Sequence, residues 1–319
     1  MSEEKHVSLP VSLLVTIRES AIQLEHDGRA SLAIRLLKQL LKDGDSHLPV
    51  AEKARSRAAL GGMVWKQGSV GKAHALAADA LSLAEECDDP MALSEALFVL
   101  GEVTYIEAAY MGRGDLDTAM TYHQRCLEMR LEVGNRHGES LSLSRIGVIH
   151  ERRDEREEAR ACHETALAIA EELDFPDGMS RPLVHIGAAK ETAGDLTGAL
   201  ADYQKSVAAV RRAHDVHALA FDLCNVAWAT YRLDGELESA LKLLSEALEL
   251  AEGMGSKLAE MRVHQVTGEV CAVAGQSEKA KTEYEVAIDI GNTAGFMRFA
   301  SFVQERLDEL DGSTREETL

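Results

Sequence analysis

Seven alanines mark the chain at near-constant intervals: Ala33, Ala73, Ala119, Ala159, Ala199, Ala240 and Ala280, separated by steps of 40, 46, 40, 40, 41 and 40. The segment RIGVIHERRDEREEARACHETAL from Arg145 aligns without gaps on HIGAAKETAGDLTGALADYQKSV from His185. A repeat of this length constrains the fold more than any composition does. A unit of forty residues cannot bury its own apolar face, so consecutive units must stack and share one continuous core.

Three further ladders run in step with the alanines. Five residues before each stand Gly28, Gly68, Gly114, Asp154, Gly194, Gly235 and Gly275. A third ladder, twelve before except in the expanded repeat, reads Ala21, Gly61, Gly101, Gly147, Gly187, Trp228 and Gly268. Seven after come Leu40, Ala80, Cys126, Ala166, Ser206, Ala247 and Ala287. The middle glycine ends one helix, because glycine readily takes the left-handed conformation of a C-terminal cap. Asp115 and Asp195 then read as N-caps of the next helix, and Asp154 with Glu157 as a capping box. The small residues let two helices approach closely. Between units, the segments 87–90, 175–178 and 253–256 carry turn chemistry. Each unit is therefore helix A, tight turn, helix B. Aromatics are only 4% of the chain and there are 5 prolines, which suits Ala- and Leu-filled helix pairs and permits long helices.

The pattern predicts an all-α superhelical solenoid of about seven helix pairs. Its divisions are an N-terminal arm (1–10), repeats at 11–43, 49–88, 89–134, 136–174, 176–214, 216–254 and 256–294, a capping helix (295–310) and a disordered tail (311–319). The small-Gly-Ala-Ala spacing resembles the tetratricopeptide repeat, in a longer form similar to that of kinesin light chains, LGN-type polarity proteins and bacterial regulators of the MalT and Rap kinds. The signature Trp early in helix A and Pro after helix B are mostly absent. The resemblance implies capture of a peptide or protein segment in a concave groove lined by A helices, acting as a scaffold or adaptor. A regulatory sensor, whose superhelix changes shape on binding a signalling peptide or small ligand, is the second expectation.

Projecting one face of each A helix from the small ladder residue places Arg55, Trp65, Phe98 and Tyr105 in the N-terminal half of the groove, and Arg181, Asn225, Arg232 and Arg262 in the C-terminal half. Aromatic rings and guanidinium groups are common interface anchors, and Arg holds carboxylates with two bonds. The formal charge of −20 argues against a nucleic-acid partner and against an anionic membrane. The expected partner is protein or peptide, with a homodimer possible. Five scattered cysteines and the absence of a leader pattern suggest a cytoplasmic chain of reduced thiols.

HExxH, GxSxG and CxxC motifs are all missing, so no enzyme is expected. His123, His150, His163 and Cys126 occupy neighbouring slots and could approach one another; imidazoles filling aromatic slots is the plainer reading, and no metal or cofactor is assigned. Trp228 stands in a slot that wants a small residue, as a plug or as a pocket wall. The six extra residues fall in the segment 105–114, which lengthens helix A or forms a loop.

Overall fold

The structure, a computed structural model, describes residues 10–316, with side chains through residue 312. Seven antiparallel helix pairs follow one another: α1 (Val11–His26) with α2 (Ala30–Asp43), α3 (Val50–Lys66) with α4 (Val70–Cys87), α5 (Pro90–Ile106) with α6 (Leu116–Glu132), and α7 (Arg136–Arg152) with α8 (Arg156–Glu172). Then come α9 (Pro176–Thr192) with α10 (Leu196–Ala213), α11 (Val216–Asp234) with α12 (Leu237–Met254), and α13 (Lys257–Val273) with α14 (Ser277–Ala294). A last helix, α15 (Met297–Glu316), closes the row. No strand occurs among the described residues, and none of their helices is long and apolar enough to cross a membrane.

The local chemistry sets the boundaries. Asp115 Oδ1 accepts from Thr118 N at 2.7 Å and Asp195 Oδ1 from Gly198 N at 2.8 Å, satisfying orphan donors at the starts of α6 and α10. Asp154 differs from the capping-box expectation. It holds φ at +59°, the left-handed position that Gly194 takes (+87°) one repeat later, and Glu155 becomes the residue before α8 with no side-chain cap. Asp tolerates that conformation better than most non-glycine residues.

Two further differences concern the ends of elements. The expansion does both things at once: α5 widens into a π-helical turn, Glu107–Met111, and Gly112 at φ +70° then turns the chain into a short loop. At the C-terminus, α15 runs on to Glu316, so the polar residues expected to be disordered from 311 are helical through 316. A lone glycine, Gly312, costs about 1 kcal/mol in a helix and does not halt one already propagating. Residues 1–9 of the expected arm and 317–319 of the tail lie outside the described residues.

A helices pack on A helices along the row, α1 on α3, α3 on α5, α7 on α9, α9 on α11 and α11 on α13, whereas successive B helices are joined by ion pairs of long side chains, Arg125 with Glu85 and Arg211 with Glu246. The A helices thus form the tight inner layer. Between α5 and α7 the link is polar, with Glu102 meeting Arg145 and Tyr105 meeting Arg152. In four of the pairs the small ladder residue receives a ring from helix B. A Cβ at Gly147 would lie 2.6 Å from the His163 ring, and one at Gly187 would lie 2.7 Å from that of Tyr203.

The superhelix also returns to touch itself. The α1–α2 turn meets the start of α11, where a Cβ at Gly28 would lie 3.2 Å from Val216 Cγ2. Beside it the Trp65 ring meets His217 edge-on, with centroids 5.7 Å apart. Farther along, Arg298 Nη1 donates to the Ala108 carbonyl at 3.0 Å and Phe299 packs on Tyr110, joining α15 to the π-helical turn.

Candidate functional site

Three inner helices, α9, α11 and α13, bound a cleft of about 410 Å³. Asn225, Arg232 and Arg262, placed on one stripe by the sequence, do line it together. Glu191 organises one wall. Its Oε1 accepts from Trp228 Nε1 at 2.7 Å and its Oε2 accepts from Tyr203 OH at 3.0 Å. The Arg232 guanidinium lies 5.4 Å from the Trp228 ring centroid and 3.7 Å from Glu191. Burial and the adjacent Glu191 charge push the Tyr203 phenol well up, so it stays a proton donor. On the opposite wall Arg262 donates to Gln265 Oε1 at 3.1 Å and reaches Asn225 Oδ1 at 3.5 Å, and it has no carboxylate partner among the described residues.

The position of Trp228 follows from one extra residue. The repeat containing it has a period of 41, and Ala227, forty after Gly187, is fully buried in the core cluster with Leu244. Ala227 fills the small slot expected for residue 228. Trp228 is thereby turned, half-buried, onto the cleft as a wall.

The interior carries positive charge although the chain is strongly acidic. Arg145 Nη2 meets Glu102 Oε2 at 2.5 Å, yet burial and the like charge of Arg181 push its guanidinium down to about 9. Arg152 Nε donates to Tyr105 OH at 3.2 Å. Arg181 is half-buried and has no hydrogen-bond or ion-pair partner among the described residues. Its charge reaches groups on five helices: burial first, then surrounding cations including Arg181, depress His123 on α6, His185 on α9 and His217 on α11, the last to about 4. Arg181 also acts on Tyr105 of α5 and Arg145 of α7.

The N-terminal candidates are largely engaged with their own chain. Arg55 pairs with Glu95 and Glu52, both at 3.0 Å. Trp65 is buried in the self-contact with α11. Tyr105 is buried, and its phenol is pushed up by that burial. Phe98 is half-buried beneath two guanidinium groups, Arg130 at 4.5 Å and Arg145 at 5.8 Å from its centroid. Sequence reasoning passed over Arg145 and Arg152 as lining residues. A count of A-helix arginines lacking an acid three or four residues away would have raised Arg145, which has none.

The His–Cys grouping considered from the sequence is replaced by a different one. His123 lies 3.6 Å from Glu102, His150 pairs with Glu155 at 2.5 Å, and Cys126 Sγ contacts the Ser94 carbonyl at 3.1 Å. His163 instead meets Glu151 and His185.

A closed row of helix pairs with small residues at the pair interface and a charged inner surface defines the class: a superhelical repeat protein. A tetratricopeptide-repeat family model matches residues 108–172 and 178–253. Over those residues the chain carries tetratricopeptide repeats. Among solved structures, it is similar to a Rap protein in complex with competence and sporulation factor (13% identity, 96% of this chain and 99% of the other, TM-score 0.57). It is also similar to the Rap conjugation gene regulator of plasmid pLS20 in complex with the Phr* peptide (16%, 97% and 80%, 0.60). A third is the apo form of the quorum sensor NprR from B. thuringiensis (14%, 97% and 90%, 0.55). At these identities the likeness is one of fold. No curated protein matches the chain by sequence.

Proposed function

We propose that this chain is a non-catalytic regulatory interaction module that captures an extended, carboxylate-bearing peptide segment along its inner surface. The observation that carries the reading is Arg181, a guanidinium inside the superhelix without a partner among the described residues. A half-buried arginine without a partner leaves its donors open to a ligand, and a carboxylate meeting it forms a strong, charge-assisted pair. Arg152 and Arg262 continue the same chemistry to either side, with Asn225 available to pair with an extended backbone. Two of the similar superhelices are described in complex with a factor or peptide, which supports the same use of the fold here.

The self-contacts favour the sensor form of this function over a passive scaffold. The Gly28–Val216 and Phe299–Tyr110 contacts close the superhelix through small patches, so a ligand bridging the inner helices would shift the balance between closed and open forms. The module would work in the cytoplasm.

The test uses fluorescein-labelled peptide pools of matched length, acidic, neutral and basic, read by anisotropy. The acidic pool should bind preferentially, and Arg181→Gln and Arg262→Gln should each weaken binding at least tenfold. Equal binding of all three pools, or no effect of either substitution, would reject the inner-surface reading.

A further inference from the structure

Glu151 at the end of α7, His163 on α8 and His185 on α9 converge where the fourth repeat meets the fifth. One ligand-type atom from each lies within 4.8 Å of the other two. The imidazoles are stacked, with centroids 4.7 Å apart and planes 2° from parallel. Both address the same carboxylate: His185 Nδ1 is 2.7 Å from Oε2 and His163 Nε2 is 3.3 Å from Oε1. No Arg or Lys pairs with Glu151 among the described residues.

His163 is the anomaly. It is 2% exposed, its Nδ1 faces no hydrogen-bond partner, and its Nε2, 3.3 Å from Glu151 Oε1, is not aligned for a hydrogen bond. A buried polar atom without a partner is uncommon and calls for a cause. Packing asks only for a side chain that fills the slot, since Tyr203 fills it one repeat later and Leu244 two repeats later, so it does not account for an imidazole here. The preceding repeat offers a contrast. There His123 also faces a glutamate, but Arg145 already occupies Glu102. At Glu151 the carboxylate and both imidazoles are left to one another.

We propose that Glu151, His163 and His185 form a binding site for one divalent first-row transition-metal ion, with zinc as the best fit. Two imidazoles and one carboxylate are a recognised donor set for such ions. Metal–ligand bonds of about 2.0–2.2 Å in a tetrahedron put neighbouring donor atoms roughly 3.3 Å apart. Of the observed N···O separations, 3.3 Å matches that edge and 2.7 Å falls short of it, and tilting the two rings out of parallel brings their nitrogens toward a common point. An ion here would clamp α7, α8 and α9 together. Because Glu151 and His185 are partly exposed, its fourth position would open to water or to a donor atom from outside.

The full chain, stripped with a chelator and dialysed, is titrated with Co2+ followed by visible absorption, and with Zn2+ by calorimetry. One equivalent of each should bind saturably, Co2+ giving the absorption of a four- or five-coordinate site. Glu151→Gln and His185→Gln, both at partly exposed positions, should each weaken Zn2+ at least tenfold while keeping the wild-type circular dichroism. His163→Gln is a third variant, read only if it folds. The proposal is overturned if the wild type shows no saturable binding. It is equally overturned if either Glu151→Gln or His185→Gln retains wild-type affinity, since the ion would then sit on other histidines.

Discussion

Trp228 Nε1 donates to Glu191 Oε1 at 2.7 Å, and this bond ties α11 to α9 within one wall of the cleft. The same carboxylate holds Tyr203 of α10, so three helices depend on one acidic side chain. Glu191→Ala should lower unfolding free energy by about 1–3 kcal/mol, because it leaves the indole and phenol donors without their acceptor. Glu191→Gln, which keeps one carbonyl acceptor, should recover part of the loss. Urea unfolding of the two variants tests this, and equal stability of Glu191→Ala and wild type would refute the wall's structural role.

Gly187 shows how a missing side chain is a packing requirement. Glycine to alanine inside a helix ordinarily stabilises by about 0.5–1 kcal/mol. Here the added Cβ would stand 2.7 Å from the Tyr203 ring. Overpacking of this kind costs about 1–3 kcal/mol, so Gly187→Ala should destabilise. At Gly71, with nothing within 4 Å of an added Cβ on α4, the same substitution should stabilise. Opposite signs in paired thermal or urea unfolding would confirm the distinction.

That contrast also explains how much the sequence disclosed. The ladders were legible because a helix B side chain, a ring in four of the pairs, imposes a small residue on helix A, and a periodic constraint leaves a periodic trace. The cleft was half legible. Asn225, Arg232 and Arg262 lie on one stripe of neighbouring A helices, whereas Tyr203 reaches the cleft from a B helix and Trp228 only through a one-residue shift of register. The self-contacts left no trace, since Gly28 and Val216 are 188 residues apart and meet only through the cumulative curvature of the row.

Asp222 should give the chain a pH-dependent stability. It is 4% exposed, its Oδ2 accepts from Ser206 and, at 3.1 Å, from Ser180, and burial pushes its carboxyl up to about 7 despite those bonds. The unfolded carboxyl titrates near 3.8, so between these values the native state holds a proton that the unfolded state has lost. Stability from this group is therefore full in acid and declines as pH rises through about 7, by about 4 kcal/mol at most. Asp222→Asn removes the titration while leaving one oxygen to accept from the serines. The difference in unfolding free energy, variant minus wild type, should grow in the variant's favour from pH 5 to pH 8. A difference independent of pH would mean that the native carboxyl titrates normally.

The contact of α15 with the π-helical turn should govern how tightly the superhelix is wound. Phe299 is largely buried against Tyr110, and Arg298 donates to a carbonyl that the wider π turn leaves accessible. These two side chains connect elements nearly two hundred residues apart, and α15 otherwise packs on α14, its neighbour in the row. Arg298→Ala with Phe299→Ala should therefore leave helix content unchanged while releasing one closure. Small-angle scattering should show a larger radius of gyration, and amide exchange should quicken in α15 and in residues 107–111 but not in α9 or α10. An unchanged radius together with faster exchange confined to α15 would mean that winding is set by the inner A-helix packing alone and that the terminal helix merely covers the last repeat.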